Sequence, residues 1–391
     1  MKYIIARFGG IGDAVILTPV AKELKRRGHE VHLSVQESQV ELFDNLPECF
    51  DEVHPTQRFH GVLDCIKWKW GWTSLESVKD EFQVFMGERD VAFSPVDYKY
   101  SIELNANQTH SPRSQYMGYW LRSQNSNYQN WQDLSFGWAG VDPTSVADED
   151  KIPIFRQRPE EKNWAKRELR RANRPIIAIH MVASSLSRTY YKHPDVVQEV
   201  IKAFPGCMVL HWVGNSWFKV TSAGAEPLDL PDHKLRHSLA LLKMCDLLIS
   251  TDSAMHHYAA AMGVPSVTTY MTVPAWTRDK YYPNNHAMQG EAKCSPCFNL
   301  DKHCPLNQIR AQDSMSDREV EIFRMKDSGM PFEKAAQDMN SQPESLEHEV
   351  RAAQQRMEGI AGMTPDCGKS ITPEMVVDKA KEVLNDSKKD T

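Results

Sequence analysis

The chain opens on a short apolar run, KYIIAR (Lys2 to Arg7), centred on two β-branched residues and followed after Phe8 by GGIGDA. From Val15 to Arg27 the apolar residues Leu17, Val20, Ala21 and Leu24 share one helical face, Gly28 stands at a C-cap position, and VHLSV (Val31 to Val35) predicts the next strand. Strand, glycine-rich turn, helix and strand make a βαβ unit, which implies a parallel sheet. The pattern returns in the middle third. A basic helix is expected from Pro159 to Arg171, a buried strand from Pro175 to His180, a helix from Pro194 to Phe204 and a strand from Cys207 to Gly214. LRHSLALLKM then reads as helix and DLLIST (Asp246 to Thr251) as strand. AMHHYAAAMG reads as a helix closed by Gly263, and SVTTYM (Ser266 to Met271) as strand. The polar stretch from Gln124 to Asp150 reads as a linker. A last helix is expected from Pro373 to Asn385.

These elements predict an α/β fold with two open sheets, in which ligands bind at the carboxyl ends of the strands, between the two units. The expected units are 1–150, 155–312, an inserted helical segment 313–362, and 363–391 with the closing helix. The insert reads as three short helices with breaks at Ser328–Gly329 and Asn340–Ser341, a spacing like a helix-turn-helix. Its third helix is acidic, and 316–356 holds six basic and nine acidic residues. A DNA reader needs the opposite sign, so packing or contact between copies of the chain is the favoured role.

Composition narrows the class. The 391 residues carry 46 basic and 52 acidic side chains, a net −6, with 41% hydrophobic and 25% charged residues, as in a soluble globular protein. No run approaches the length of a membrane span, so no integral membrane contact is expected. The opening lacks the apolar core and cleavage site of a secretory signal, which points to the cytoplasm. There the eight cysteines should form no disulfide framework. Cys207 and Cys245 lie inside apolar runs and read as core. Cys294, Cys297 and Cys304, with Cys367 before the last helix, make a candidate structural site for zinc or iron, with His303 competing as fourth ligand. Unligated thiols are the alternative.

Three segments carry chemistry. Gly9, Gly10 and Gly12 allow close backbone approach between a strand and a helix, but neither a dinucleotide fingerprint nor a phosphate-loop lysine follows. Asp13 would repel a phosphate there. It suits a general base facing a hydroxyl, or a simple helix cap. In ISTDSAMHHYAAAMGVP, Asp252 and Ser253 begin a helix whose first turns hold His257, an arrangement that favours a diphosphate, or an ordinary capped helix. Trp68 and Trp70 in IKWKWGW could stack on a sugar ring or a base, or pack as an edge strand.

Taken together, RFGGIGDAVILTPVAKELKRRG, HMVASSLSRTYYKHPD and DSAMHHYAAAMGVP with the following TVPAWTR resemble the ADP-heptose:lipopolysaccharide heptosyltransferase family, glycosyltransferase family nine. The resemblance spans residues 1 to about 310 and the terminal ITPEMVVDKAKEVL. It implies a GT-B architecture, two Rossmann-like domains facing a cleft. The first takes the acceptor and the second takes a nucleotide-diphosphate sugar, which is transferred with inversion and without a required metal. Asp13 matches the catalytic base. Ser184, Ser185 and Lys192 match the donor loop, with Arg188 beside them, and Asp252, Ser253 and His257 match the diphosphate and sugar contacts. Ala254 stands where the family usually has Gly, and Asn215 or Trp217 stands near a usual nucleoside-holding Glu. The implied acceptor is a lipopolysaccharide-type or other glycan. Two alternatives keep DNA as partner: transfer to a hydroxymethylated base, or a sugar-sensing regulator without catalysis. They draw on the tryptophans, the insert and the stretch 156–174, with eight basic and three acidic residues. A regulator would gain nothing from Asp13.

Overall fold

The computed structural model describes residues 2–6, 10–56, 82–86, 130–183, 188–212, 220–224, 226–231, 233–297 and 365–386. Gly9, Trp68, Trp70, Ser184, Ser185, Asn215, Cys304 and the insert 313–362 lie outside the described residues.

The first sheet begins with β1 (Lys2–Ala6). Helices α1 (Ile11–Val15) and α2 (Thr18–Arg26) follow, then β2 (Glu30–Gln36), α3 (Val40–Phe43), β3 (Glu52–Thr56) and β4 (Phe82–Met86). The single helix expected from Val15 is divided. Pro19, in the first turn of α2, has no N–H to continue the α1 ladder, and the Thr18 hydroxyl bonds the Val15 carbonyl at 2.7 Å. The strand order is β3-β2-β1-β4, all parallel, with Ile5 opposite Leu33. Val31, Leu33 and Val35 are fully buried on one face of β2, and His32 and Ser34 are buried on the other, as a sheet covered on both sides requires.

Helix α4 (Trp131–Trp138) and α5 (Pro159–Glu168) lead to the second sheet. It comprises β5 (Ile176–His180), β6 (Met208–Trp212), β7 (Val220–Gly224), β8 (Leu247–Thr251), β9 (Ser266–Tyr270) and β10 (Asn285–Gln289). Helices α6 (His193–Ala203), α7 (Leu235–Lys243), α8 (Ala254–Met262) and α9 (Trp276–Asp279) intervene, and α10 (Asp366–Lys369) and α11 (Pro373–Asp386) close the chain. The order is β10-β9-β8-β5-β6-β7, parallel except for β7 at the edge. Alternation along β5 feeds two layers. Ile177 and Ile179 pack with Val196 and Val200 of α6 and Val376 and Ala380 of α11. Ile176 and Ala178 pack with Leu239 and Leu242 of α7 and Tyr258 of α8, in a core that continues into Val31 and Leu33 of the first sheet. The expected two-lobed α/β architecture, two Rossmann-like sheets sharing a core, is therefore present.

The stretch expected as a linker contains α4. Asn130 caps it, with Oδ1 accepting from the N–H groups of Gln132 and Asp133 at 2.9 and 3.3 Å. Between its caps, Trp131, Leu134 and Phe136 are buried. Three of the eight basic residues in 156–174 pair with acidic residues elsewhere in the chain. Arg156 pairs with Glu48 at 2.7 Å, Arg158 with Asp44 at 2.6 Å, and Arg174 with Asp246. Nearby, buried Arg236 of α7 pairs with buried Glu161 of α5 and donates to the Glu41 carbonyl at 2.6 Å, joining the second lobe to the first.

Candidate active site

Strands β1, β5, β8 and β9 point their carboxyl ends at one region, where the turn after β8 carries Asp252 and Ser253 into α8. Asp252 is 2% exposed, a costly place for a lone carboxylate. Two cations stabilise it. An Arg188 guanidinium nitrogen lies 3.3 Å from Asp252 Oδ2 and 3.3 Å from its carbonyl, and Arg278 Nε lies 3.9 Å from Oδ1. Burial alone would raise the Asp252 carboxyl, but the Arg188 and Arg278 charges outweigh it and hold it below the ordinary carboxylate range. Arg278 also stacks over the Trp131 ring at 4.1 Å. Asp279, next in α9, turns to the Asn285 amide at 2.8 Å. The Asp252 cluster thus opposes two guanidinium groups to one carboxylate.

Behind this cluster lie neutral histidines. His180, at the end of β5, sits 3.2 Å from the Ser253 hydroxyl, and burial pushes it down to about 3. His256 bonds the Ser253 carbonyl through Nδ1 at 2.6 Å and is pushed by burial to about 4. His257 is pushed well below the ordinary range, first by burial and then by the neighbouring charges. Its Nδ1 lies 2.7 Å from the Tyr282 hydroxyl, which lies 2.9 Å from Gln132 Nε2. The order of donors follows. The amide donates to the tyrosine oxygen, the tyrosine proton goes to Nδ1, and His257 keeps its own proton on Nε2. That ring edge, through Cδ2, faces Gly12 of the first lobe.

Gly12 marks the closest approach between α1 and α8. A Cβ built there would lie 2.8 Å from Ala254 Cα, 2.9 Å from its Cβ and 3.2 Å from His257 Cδ2. The glycine is therefore required by the helix opposite it, and Ala254 is the residue that fills the gap. Next to it, half-buried Asp13 takes the Gly10 N–H on Oδ2 at 3.2 Å, which caps α1 and orients the carboxylate.

The structure thus brings Gly10, Gly12, Asp13, Arg188, Asp252, Ser253, Ala254 and His257 to one end of the two sheets. Lys192 does not join them. It closes the turn before α6, near enough to the last helix to help the Thr372 hydroxyl lower the Glu374 carboxyl. Among the described residues no hydrogen bond or ion pair links Lys192 to the Asp252 cluster. Sequence reasoning missed Arg278, Tyr282 and Gln132. Arg278 ends the TVPAWTR segment, which was the available signal.

Asp252, His256 and His257 also bring one oxygen and two ring nitrogens within 4.8 Å of one another. Two arginines already neutralise that carboxylate, so the set suits an anion's surroundings better than a cation. The cysteines form a separate region. Cys297 and Cys367 are buried and Cys294 is exposed. A Cβ on Gly290 would meet the Cys367 carbonyl oxygen at 2.3 Å, and the Glu291 N–H bonds the Ser370 hydroxyl at 2.8 Å, so the loop before Cys294 is pinned to the turn of Cys367.

Residues 220–309 match the family described as Glycosyltransferase family 9 (heptosyltransferase). The matched segment contains Asp252, Ser253, His257, Arg278 and Tyr282. The chain matches no curated protein. Among solved structures it is similar to a family 9 glycosyl transferase from Veillonella parvula, with 13% identity, a TM-score of 0.49, and coverage of 73% of this chain and 85% of that one. ADP-heptose lps heptosyltransferase II from E. coli gives 13% identity, a TM-score of 0.48, and coverage of 74% and 90%. The iron-containing dodecameric glycosyltransferase TibC from enterotoxigenic E. coli gives 13% identity, a TM-score of 0.44, and coverage of 82% and 73%.

Proposed function

We propose that this chain transfers a sugar from a nucleotide-diphosphate donor to the hydroxyl of a glycan acceptor, with inversion at the anomeric carbon. The observation that carries the reading is the Asp252 cluster, with Arg188 and Arg278 beside the start of α8 and facing the turn of Asp13. In the transfer, the acceptor oxygen bonds the anomeric carbon as the bond to the diphosphate breaks. Asp13 takes the acceptor proton. The two guanidinium groups, the first N–H groups of α8 and the neutral His257 Nε2–H meet the charge gained by the leaving diphosphate. These groups supply the positive charge from the protein itself, and no metal is assigned to the reaction. Asp252 acts as the anchor of the two arginines, not as a diphosphate contact. The family matched over 220–309 is described as heptosyltransferase, which makes ADP-heptose the first donor to test and a lipopolysaccharide-type glycan in the cytoplasm the first acceptor.

Cys294, Cys297, Cys304 and Cys367 are proposed to hold a structural zinc or iron that fixes α11. The buried thiols and the Gly290 contact support this, and no catalytic step passes through it.

The test is a thermal-shift screen of nucleotide-diphosphate sugars, followed by product analysis with wild type and Asp13→Asn. A cognate donor raises the melting temperature of both proteins by mass action, and the substitution lowers transfer by about 10²–10⁴-fold. Failure of every such donor to shift the wild type, or undiminished transfer by Asp13→Asn, overturns the reading.

A further inference from the structure

Far from that site, two parallel strands of the first sheet place four ionisable side chains together. In the β2–β3 register His32 lies opposite Glu52, and Ser34 lies opposite His54. His32 and His54 are 4% and 2% exposed, their rings inclined by only 12°. His32 Nδ1 is 2.9 Å from His54 Nε2, and Glu52 Oε2 is 3.6 Å from the same His54 nitrogen. All three ligand atoms lie within 4.8 Å of one another. On the far side of the ring, His32 Nε2 is 2.9 Å from Glu30 Oε1.

We propose that His32, His54 and Glu52 bind one divalent transition-metal ion of the zinc class, with Glu30 orienting His32. Two nitrogens and one carboxylate oxygen are the donors such an ion takes. Bonds of about 2.0–2.2 Å in a tetrahedron set neighbouring ligand atoms about 3.4 Å apart, and the two measured separations bracket that spacing. The Glu30 contact is the usual outer partner of a metal-bound imidazole, a carboxylate accepting the other ring N–H and fixing the tautomer. The proton count agrees. Without metal, a close nitrogen–nitrogen contact needs one shared proton. Because His32 gives its Nε2 proton to Glu30, that shared proton belongs to His54. A divalent ion takes its place as His54 shifts to the tautomer protonated on Nδ1, leaving both facing nitrogens as lone-pair donors and both imidazoles neutral. Half-buried Glu30 and exposed Glu52 give the ion its path from solvent. The site would tie the β3 edge to β2, and it contains none of the transfer residues.

The test uses the full chain, stripped with chelator and titrated calorimetrically with Zn²⁺, then with Co²⁺ to separate this site from the cysteines. Cobalt on thiolates gives intense charge-transfer bands, and cobalt on nitrogen and oxygen gives only weak ligand-field bands. Wild type should hold one more thiolate-free equivalent than His32→Gln. Glu30→Gln should weaken that equivalent by about 10–100-fold. Glu52→Gln, at an exposed position that does not endanger folding, should weaken it at least about tenfold. The proposal is overturned if wild type takes metal only at thiolates. Equal stoichiometry and affinity in wild type, His32→Gln and Glu52→Gln would overturn it as well.

Discussion

The starts of α1 and α8 each carry an aspartate, Asp13 in the first turn of α1 and Asp252 just ahead of α8, yet their carboxylates live in different surroundings. Asp13 is half-buried and receives a backbone N–H from its own turn. Asp252 is buried between two arginines. A carboxylate compensated by two cations is a poor proton acceptor and a good anchor, which is why the proposed base is Asp13 and not Asp252. The difference supports the proposed division of work, with proton removal in the first lobe and charge stabilisation in the second.

The largest effect that separates the turns is on stability. Asp252→Asn removes the buried carboxylate that the partly buried Arg188 and Arg278 share, and should cost about 3–5 kcal/mol in chemical denaturation. Asp13→Asn keeps an oxygen for the Gly10 N–H and should change stability by less than about 0.5 kcal/mol while abolishing most transfer. Equal stability losses would erase the distinction between anchor and base.

Much of this division was legible in the chain. Short apolar runs rich in β-branched residues located β1, β2, β5, β6, β8 and β9 within a residue or two. Strands β3 (EVHPT) and β10 (NHAMQ) carry too few apolar residues to announce themselves, and they lie at sheet edges, where burial asks least of the sequence. Asp13, Asp252 and His257 were visible as local patterns. Their supports were not. Gln132 reaches Tyr282 across 150 positions, and the polar richness that placed it in a linker is the signature of a helix cap as well. Lys192 illustrates the converse. A lysine near a donor loop carries no direction, and among the described residues its side chain makes no hydrogen bond or ion pair with the Asp252 cluster.

A smaller effect distinguishes the turns by pH. His256 stays neutral in the folded chain down to about 4 and His180 down to about 3, because burial penalises their charged forms. In the unfolded chain they take protons at about 6.5. Between those values the unfolded state holds more protons, so stability is complete above pH 6.5 and falls as pH drops toward 4. His256 alone accounts for about 3 kcal/mol at the lower end. Both residues support the second turn, so acid should undo that turn first. Denaturation midpoints that are flat from pH 7 to pH 4.5 would show that these imidazoles are already charged or hydrated in the native state.

The smallest effect tests whether the two turns meet as drawn. In Gly12→Ala the new methyl collides with Ala254 Cα and Cβ, neither of which can swing away as a long side chain could. Helix α1 must retreat from α8, at about 1–3 kcal/mol, and Asp13 retreats with it, so kcat/KM falls alongside stability. Ala254→Gly removes one of the two colliding atoms and leaves the other. Added to Gly12→Ala, it should restore part of both losses, with a coupling above about 0.5 kcal/mol in a double-mutant cycle. Strict additivity would mean that the glycine of the first turn does not face the alanine of the second, and the proton acceptor would then stand too far from the charge cluster to serve the same reaction.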